Sequence, residues 1–473
     1  MDARSAKQIL RMDAISLVAG MKSRELSPVE VVGAFARRTE ELEPQLHSFS
    51  LLTLESALED ARRAEQALAK GGDTGVLAGL PIGIKDLLNV KGVPTSFGSL
   101  LYKDVPALTD DPVVERARAA GAISLGKTNT PEFGFSSVGH NPAFATTTNP
   151  WNTSLTPGGS SSGSGSAVAA GQCPLALGTD RAGSIRIPAA HCGIYGFKPS
   201  VGRVPIDIRS DAMSQIGPMS RTVADAALLM SAVAAFDPRD RLSVPSEGID
   251  WMGCLRGGIR GLRIGYSRDF GYAPVDPVVT AIVDRAVQVF ERDLGCTVEP
   301  FEPGWKDPWS DFLTLCTFGL DLGAIRATIG EHEGKISPHI VDAVRHGWVA
   351  EDFTNAEATR RKVWLRMAEL TQQFDLLVTP TVAVPPFALL MQGPEQIAGR
   401  TVRPMEWIPF TFTVNMCGMP AASVPAGWTN DDLPVGLQII GPRLADPLVL
   451  RASAAYEQAA PWAHRWPALA AMA

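Results

Sequence analysis

The chain has 473 residues, is 45% hydrophobic and carries a formal net charge of −7 at pH 7. That supplies a large core, and no block of Lys and Arg suggests a nucleic-acid surface. No apolar run reaches membrane-spanning length. Residues 1–20 carry Asp2, Arg4, Lys7, Arg11 and Asp13 and do not read as a signal peptide. The six cysteines (Cys173, Cys192, Cys254, Cys296, Cys316, Cys417) show no CxxC spacing and read as reduced thiols of a cytoplasmic protein.

In chain order, Ser27-Pro28-Val29-Glu30 is a capping box with proline at the first helical position. A second amphipathic helix is expected over residues 53–70, stopped by Gly71-Gly72. Leu80 to Leu88 reads as an apolar strand with Lys85 inside it. Taken alone, Lys85 reads as paired with Asp86 or reaching for solvent. Asp111 is placed to cap a helix from Pro112, ended by Gly121, with a strand over Ala122 to Leu125. Gly121 to Thr128 matches GxxxxGK[ST], but its order is helix, strand and then a loop broken by Pro131. A phosphate loop needs strand, loop and then helix, so nucleotide binding is not expected.

Gly158 to Ser166 is a glycine- and serine-rich loop. Ala167 to Gly171 suits a buried helix, and Gly178 to Pro188 forms a second serine turn. Glycine lets backbone N–H groups approach a ligand closely, and serines beside such amides are candidate nucleophiles and proton carriers. Further on, strands are expected over Leu262 to Tyr266, Thr297 to Phe301, Leu376 to Val378, Met416 to Pro425 and Leu433 to Ile440. Helices are expected after Asp276-Pro277 and Asp446-Pro447 and through most of 307–372. This rhythm implies an α/β class. A single domain over 1–473 is expected, made of a helical preamble (1–75), a core carrying the chemistry (76–230), and remaining sheet and helices with pocket elements (231–473).

Pro81-Ile82-Gly83-Ile84-Lys85-Asp86, Gly126-Lys127-Thr128-Asn129, Gly158-Gly159-Ser160-Ser161, Gly183-Ser184-Ile185-Arg186-Ile187-Pro188 and Gly196-Phe197-Lys198-Pro199 together resemble the landmarks of the amidase signature family, in its order and spacing. The resemblance runs from about residue 8 to about residue 458 and implies a large mixed twisted sheet flanked on both faces by helices. It implies that Ser184 attacks the carbonyl, that Ser160 relays its proton to Lys85, and that the Gly159–Ser160 peptide is cis. It also implies that backbone N–H groups of Arg181, Ala182, Gly183 and Ser184 form the oxyanion hole. Ser161, Asp180 and Arg186 are then expected to hold the turn in shape. The chemistry agrees: a serine needs a base, and a lysine buried among Ile82, Ile84 and Leu87 loses its proton more readily.

Two departures bear on substrate. Arg181-Ala182 stands where many members have Thr-Gly, and Arg181 is expected in a salt bridge to Asp180 or another acid rather than on substrate. Members that use glutamine carry an acid before a Phe-Thr…Val-Asn segment, where this chain has the apolar Ile408. The substrate implied is therefore a neutral hydrophobic amide or a carbamate, with esters as a side activity. The alternative is the component of a tRNA-dependent amidotransferase that releases ammonia from glutamine or asparagine. Phe133, Phe135, Met213, Ile216, Phe312, Leu315, Cys316, Trp407 and Phe410 are candidate channel residues, and Arg209 is a candidate rim contact. Gly159 to Gly163 fits GxSxG around Ser161, but residues 149–157 read as loop rather than strand, and His191 reads as structural. The seven histidines form no metal motif. No cofactor, metal, nucleic-acid or membrane partner is expected, and a monomer or a homodimer is compatible with the chain.

Overall fold

The computed structural model describes residues 6–72, 74–206, 212–246, 248–318 and 322–471. Thirteen strands occur among them: β1 Phe49–Leu52, β2 Pro81–Lys85, β3 Ile123–Thr128, β4 Leu175–Asp180, β5 Tyr195–Lys198, β6 Gln215–Ser220, β7 Arg263–Tyr266, β8 Thr297–Pro300, β9 Leu376–Pro380, β10 Gln396–Ile397, β11 Arg400–Thr401, β12 Ala421–Trp428 and β13 Pro434–Ile440. Eleven form one mixed sheet in the order β1-β3-β2-β4-β6-β5-β12-β13-β9-β7-β8, and β10 and β11 make a small ribbon. β2 lies parallel between β3 and β4, with Ile84 opposite Lys127 on one side and Leu177 on the other. The carboxyl ends of β2 and β4 are therefore neighbours, the usual place for a site in an α/β sheet.

Alternation along the strands feeds two apolar layers. Leu376 and Val378 of β9, with Leu437 and Ile439 of β13, join the larger cluster. Leu377 and Ile440, one residue out of phase, join the cluster on the other face. Each fully buried aliphatic chain contributes about 1.5–3 kcal/mol. Burial on that scale lets the sheet tolerate a few buried polar groups.

Several sequence expectations are met closely. The helix Pro28–Leu46 begins in a capping box: Ser27 Oγ accepts from Val29 N at 3.0 Å, and Glu30 Oε2 accepts from Ser27 N at 3.3 Å. The helix expected over 53–70 spans Leu54–Ala69. Four expectations are corrected. β3 continues through Gly126, Lys127 and Thr128, because Lys127 finds a buried partner and need not leave the sheet. Met416 and Cys417 end a short helix, Phe412–Cys417, before β12 begins at Ala421. The buried helix starts at Ser162 rather than Ala167, since its serines pack inward on backbone carbonyls, as Ser164 Oγ does on Leu177 O at 3.2 Å. Asp111 and Asp446 cap nothing with their side chains; they accept instead from Asn89 N and Ser200 N, at 2.8 and 2.7 Å. No single helix among the described residues is long and apolar enough to cross a membrane.

The amino- and carboxy-terminal segments meet at a cavity of about 130 Å³ lined by Arg11, Asp13, Arg221, Asp225 and Trp466, among others, and by none of the catalytic candidates. Asp225 accepts from Ile15 N at 3.2 Å, and Glu457 from Val223 N at 3.1 Å. Burial, reinforced by Asp13, pushes the Asp225 carboxyl up to about 7, and burial does the same to Glu457. In the unfolded chain both titrate near about 4. Between those values the folded state binds more protons, so stability falls as pH rises through this window. The thermal midpoint is expected to drop between about pH 5 and pH 8, and to drop less in Asp225→Asn. Equal slopes in the two proteins would remove Asp225 from this account.

Candidate active site

Lys85 ends β2 with its amine fully buried. Nζ donates to Ser160 Oγ at 2.7 Å and to Thr179 Oγ1 at 2.8 Å. Burial drives its pKa well below the ordinary lysine value, with Asp180 opposing. The neighbouring Asp86 does not pair with it. Asp86 turns to Lys127, whose Nζ lies 3.0 Å from Asp86 Oδ1 and donates to Thr95 Oγ1 at 2.8 Å. Lys127 is thereby also removed from any phosphate-loop role. A third buried lysine, Lys198, donates among the described residues to the carbonyls of Pro199, at 3.0 Å, and Met419. Of the three, Lys85 alone meets a serine.

Ser160 follows a cis Gly159–Ser160 peptide and sits just before the helix Ser162–Ala170. Ser184 lies in the turn between β4 and the helix Arg186–Cys192. Ser161 ties the two regions together: its N donates to Ser184 O at 3.1 Å and its Oγ to Thr179 O at 3.2 Å. That employment as a brace leaves no base beside Ser161, against the GxSxG reading.

Asp180 organises the nucleophile turn. Its carboxylate accepts from Gly183 N at 2.8 Å, Ile185 N at 3.1 Å, Arg186 Nε at 3.0 Å, Arg186 Nη2 at 2.8 Å and Asn415 Nδ2 at 2.8 Å. Burial works to raise this carboxyl, but Arg186, Lys198 and Asn415 hold it well below the usual carboxylate range. One member of the expected oxyanion set, Gly183, is engaged elsewhere. The Gly183 N–H is committed to Asp180, whereas those of Ala182 and Ser184 donate to nothing among the described residues. Gly183 has φ +123°, and a Cβ there would lie 2.5 Å from Thr411 Cβ, so the turn requires glycine. Thr411 Oγ1 in turn donates to Ala182 O at 2.6 Å.

Of the acids expected for Arg181, Asp180 does not pair with it, because Arg186 takes both Asp180 oxygens. Arg181 Nη2 donates to Cys316 O at 2.7 Å, near the end of the helix Trp309–Phe318. Phe133, Phe135 and Ala182 are half-exposed. Phe135 and Ala182 pack against the cluster that also holds Met213, Phe312, Leu315 and Cys316. Ile216 departs from this group: it faces the other apolar layer. Trp407 and Phe410 have no exposed surface and stand behind the wall; Trp407 stacks on His191 at 5.4 Å, and Phe410 packs edge-on to Phe270 at 5.2 Å. Arg209 lies outside the described residues. His191 lies near Val384 O, at 3.2 Å from Nε2, and burial lowers its pKa to about 4. Sequence reasoning missed the roles of Thr179, Thr411, Asn415 and Gln438, whose Oε1 accepts from Arg186 Nη1 at 2.5 Å. Thr179 lies beside the serine turn, and Thr411 and Asn415 lie in the Phe-Thr…Val-Asn segment, so each had a signal; Gln438 arrives from β13 with none.

The family model described as Amidase matches residues 30–450. An acylamidase from Rhodococcus erythropolis is 35% identical, covering 97% of this chain and 97% of its own. A glutamyl-tRNA(Gln) amidotransferase chain from Chloroflexus aggregans is 37% identical, covering 94% of this chain and 96% of its own. The crystal structure of a bacterial aryl acylamidase of the amidase signature enzymes superposes with a TM-score of 0.90 at 33% identity, covering 95% of this chain and 96% of that one. The chain is thus a hydrolase of the amidase class, acting on amides. It belongs to the amidase signature family.

Proposed function

We propose that this amidase cleaves the C–N bond of neutral, hydrophobic amides, and of carbamates, through an acyl-enzyme on Ser184. The observation that carries the reading is the buried Lys85 amine, 2.7 Å from Ser160 Oγ and with no carboxylate bonded to it among the described residues. A neutral amine there accepts the Ser160 proton along the same line, Ser160 accepts the Ser184 proton, and Ser184 Oγ attacks the carbonyl carbon. The oxyanion is met by the N–H groups of Ala182 and Ser184. The proton returns through Ser160 to the leaving nitrogen, and water then releases the acyl group by the reverse path. From a carbamate, C–N cleavage releases the amine first, and water then frees a carbonic acid monoester that loses CO2 and leaves an alcohol. The half-exposed Phe133, Phe135 and Ala182 favour an apolar acyl or aryl group. The acylamidase and aryl acylamidase likenesses support the same choice.

The amidotransferase relative supports a second reading, in which the chain releases ammonia inside a larger assembly. Against it, Ile408 is fully buried and apolar where a charged amino acid amide would need an acid. One experiment separates the readings: amine release from a matched neutral aryl amide and aryl carbamate by the purified chain, with Ser184→Ala as blank. Turnover of both is expected. Turnover of the amide alone removes the carbamate. Turnover of neither, with glutamine hydrolysed only in an assembly, overturns the proposal.

A further inference from the structure

One buried carboxylate beside the site has no part in the chemistry above. Glu132 is 2% exposed. Its Oε2 accepts from Ser337 N at 2.7 Å, and its Oε1 accepts nothing among the described residues. A half-satisfied buried carboxylate withdraws stability, so its presence calls for another explanation.

The backbone around it supplies one. Phe133 has φ +51° and Gly134 has φ +70°. A left-handed phenylalanine is unfavourable by about 1–2 kcal/mol, so a free loop would relax. The conformation matters because Gly134 faces the relay serine. A Cβ at Gly134 would lie 3.3 Å from Ser160 Oγ and 2.8 Å from Leu87 Cδ1. The loop is pinned on one side by Phe133 N donating to Phe97 O at 2.7 Å and by the Phe133 ring lying 6.4 Å from Phe97 and 6.1 Å from Tyr102. On the other side the polar pin is Glu132, which holds the start of the helix Pro338–Arg345. The same helix stacks His339 on Phe135 at 6.2 Å.

We propose that Glu132 is a positioning residue: by holding the Ser337 N–H it fixes the loop 131–135 between the helix Pro338–Arg345 and Ser160, and so sets where the relay serine stands. The inference rests on the reading of Ser160 as proton relay. Glu132 acts through Gly134 and Ser160 and touches no reacting atom.

Two substitutions remove the contact from opposite ends. Glu132→Ala deletes the acceptor. Ser337→Pro deletes the donor N–H together with a hydroxyl that caps nothing, and Ser337 already has φ −58°, which proline prefers. Each is expected to lower kcat for a small neutral amide by about 10–100-fold, since small misplacements of a reacting group cost that much. KM should stay within about threefold, and the double variant should be no slower than either single one. Glu132→Gln keeps an oxygen acceptor and should restore most of the rate. The labelling rate of Ser184 by a sulfonyl fluoride gives a second readout that needs no knowledge of substrate, and it should fall with kcat. If the wild-type chain is labelled but hydrolyses no amide, the substrate reading fails and the labelling rates still decide the role of Glu132. Unchanged kcat and labelling in Ser337→Pro, or losses that add in the double variant, would overturn it. Should Glu132→Ala not fold, Ser337→Pro and Glu132→Gln carry the test.

Discussion

Lys85→Ala is expected to lower kcat/KM for a neutral aryl amide by about 10²–10⁴-fold, the range over which a positioned base contributes. Ser184→Ala, which removes the nucleophile, should abolish Ser184-dependent turnover. His191→Ala should stay near wild type in rate, because His191 is engaged with Trp407 and Val384 and faces no serine. The pH profile makes the Lys85 assignment sharper. Only the neutral amine accepts a proton, and burial holds Lys85 well below the ordinary lysine range. The acid limb of kcat/KM should therefore lie well below the pKa of a free lysine, with activity rising as pH rises through it. Initial rates of the three variants, with a wild-type profile, check this. Full activity in Lys85→Ala would end the Ser-Ser-Lys account.

Asp180→Asn is expected to damage stability and rate together. Asparagine offers one acceptor oxygen where the carboxylate now serves two backbone N–H groups and two Arg186 nitrogens. Its own N–H groups would face donors. Arg186, fully buried, would keep its charge without the anion that balances it. Breaking one partner of a buried pair costs about 3–5 kcal/mol. The oxyanion turn loses its template at the same time, which should lower kcat by about 10²–10³-fold. Urea unfolding gives the first quantity. Rates measured well below the unfolding transition give the second, free of lost protein. The depressed Asp180 pKa adds a sign: this carboxylate's stabilisation is present above the unfolded pKa of about 4 and is lost as pH falls towards the lower folded value. A stable Asp180→Asn with wild-type kcat would show that Arg186 and Asn415 suffice to shape the turn.

Much of the site was legible because the family motifs are local. The lysine strand and the two serine turns each lie within about a dozen residues, and the residues they name converge at the carboxyl ends of β2 and β4. What misled was also local. Gly126 to Thr128 looked like a loop, since a lysine and a glycine there discourage a strand; the ion pair with Asp86, forty-one positions away, reverses that. The serines of 162–166 looked like loop, yet they serve as small inward-facing helix residues whose hydroxyls find carbonyls on neighbouring segments. Arg181 looked like a partner for the adjacent Asp180 or another acid. Arg186, further along the turn, reaches the Asp180 carboxylate with two nitrogens, and Arg181 donates to the Cys316 carbonyl.

Sequence alone determined which functional groups this protein possesses: the serines, the lysine, and a glycine where a positive φ is required. Only the tertiary structure decided the state of its buried lysines. Lys85 and Asp86 are adjacent in the chain, but neighbours in an extended segment point to opposite sides. Asp86 therefore meets Lys127 across the sheet, while Lys85 meets two hydroxyls. The charge on an amine follows from its desolvation and from the charges within a few ångströms, and those are set by packing between distant segments.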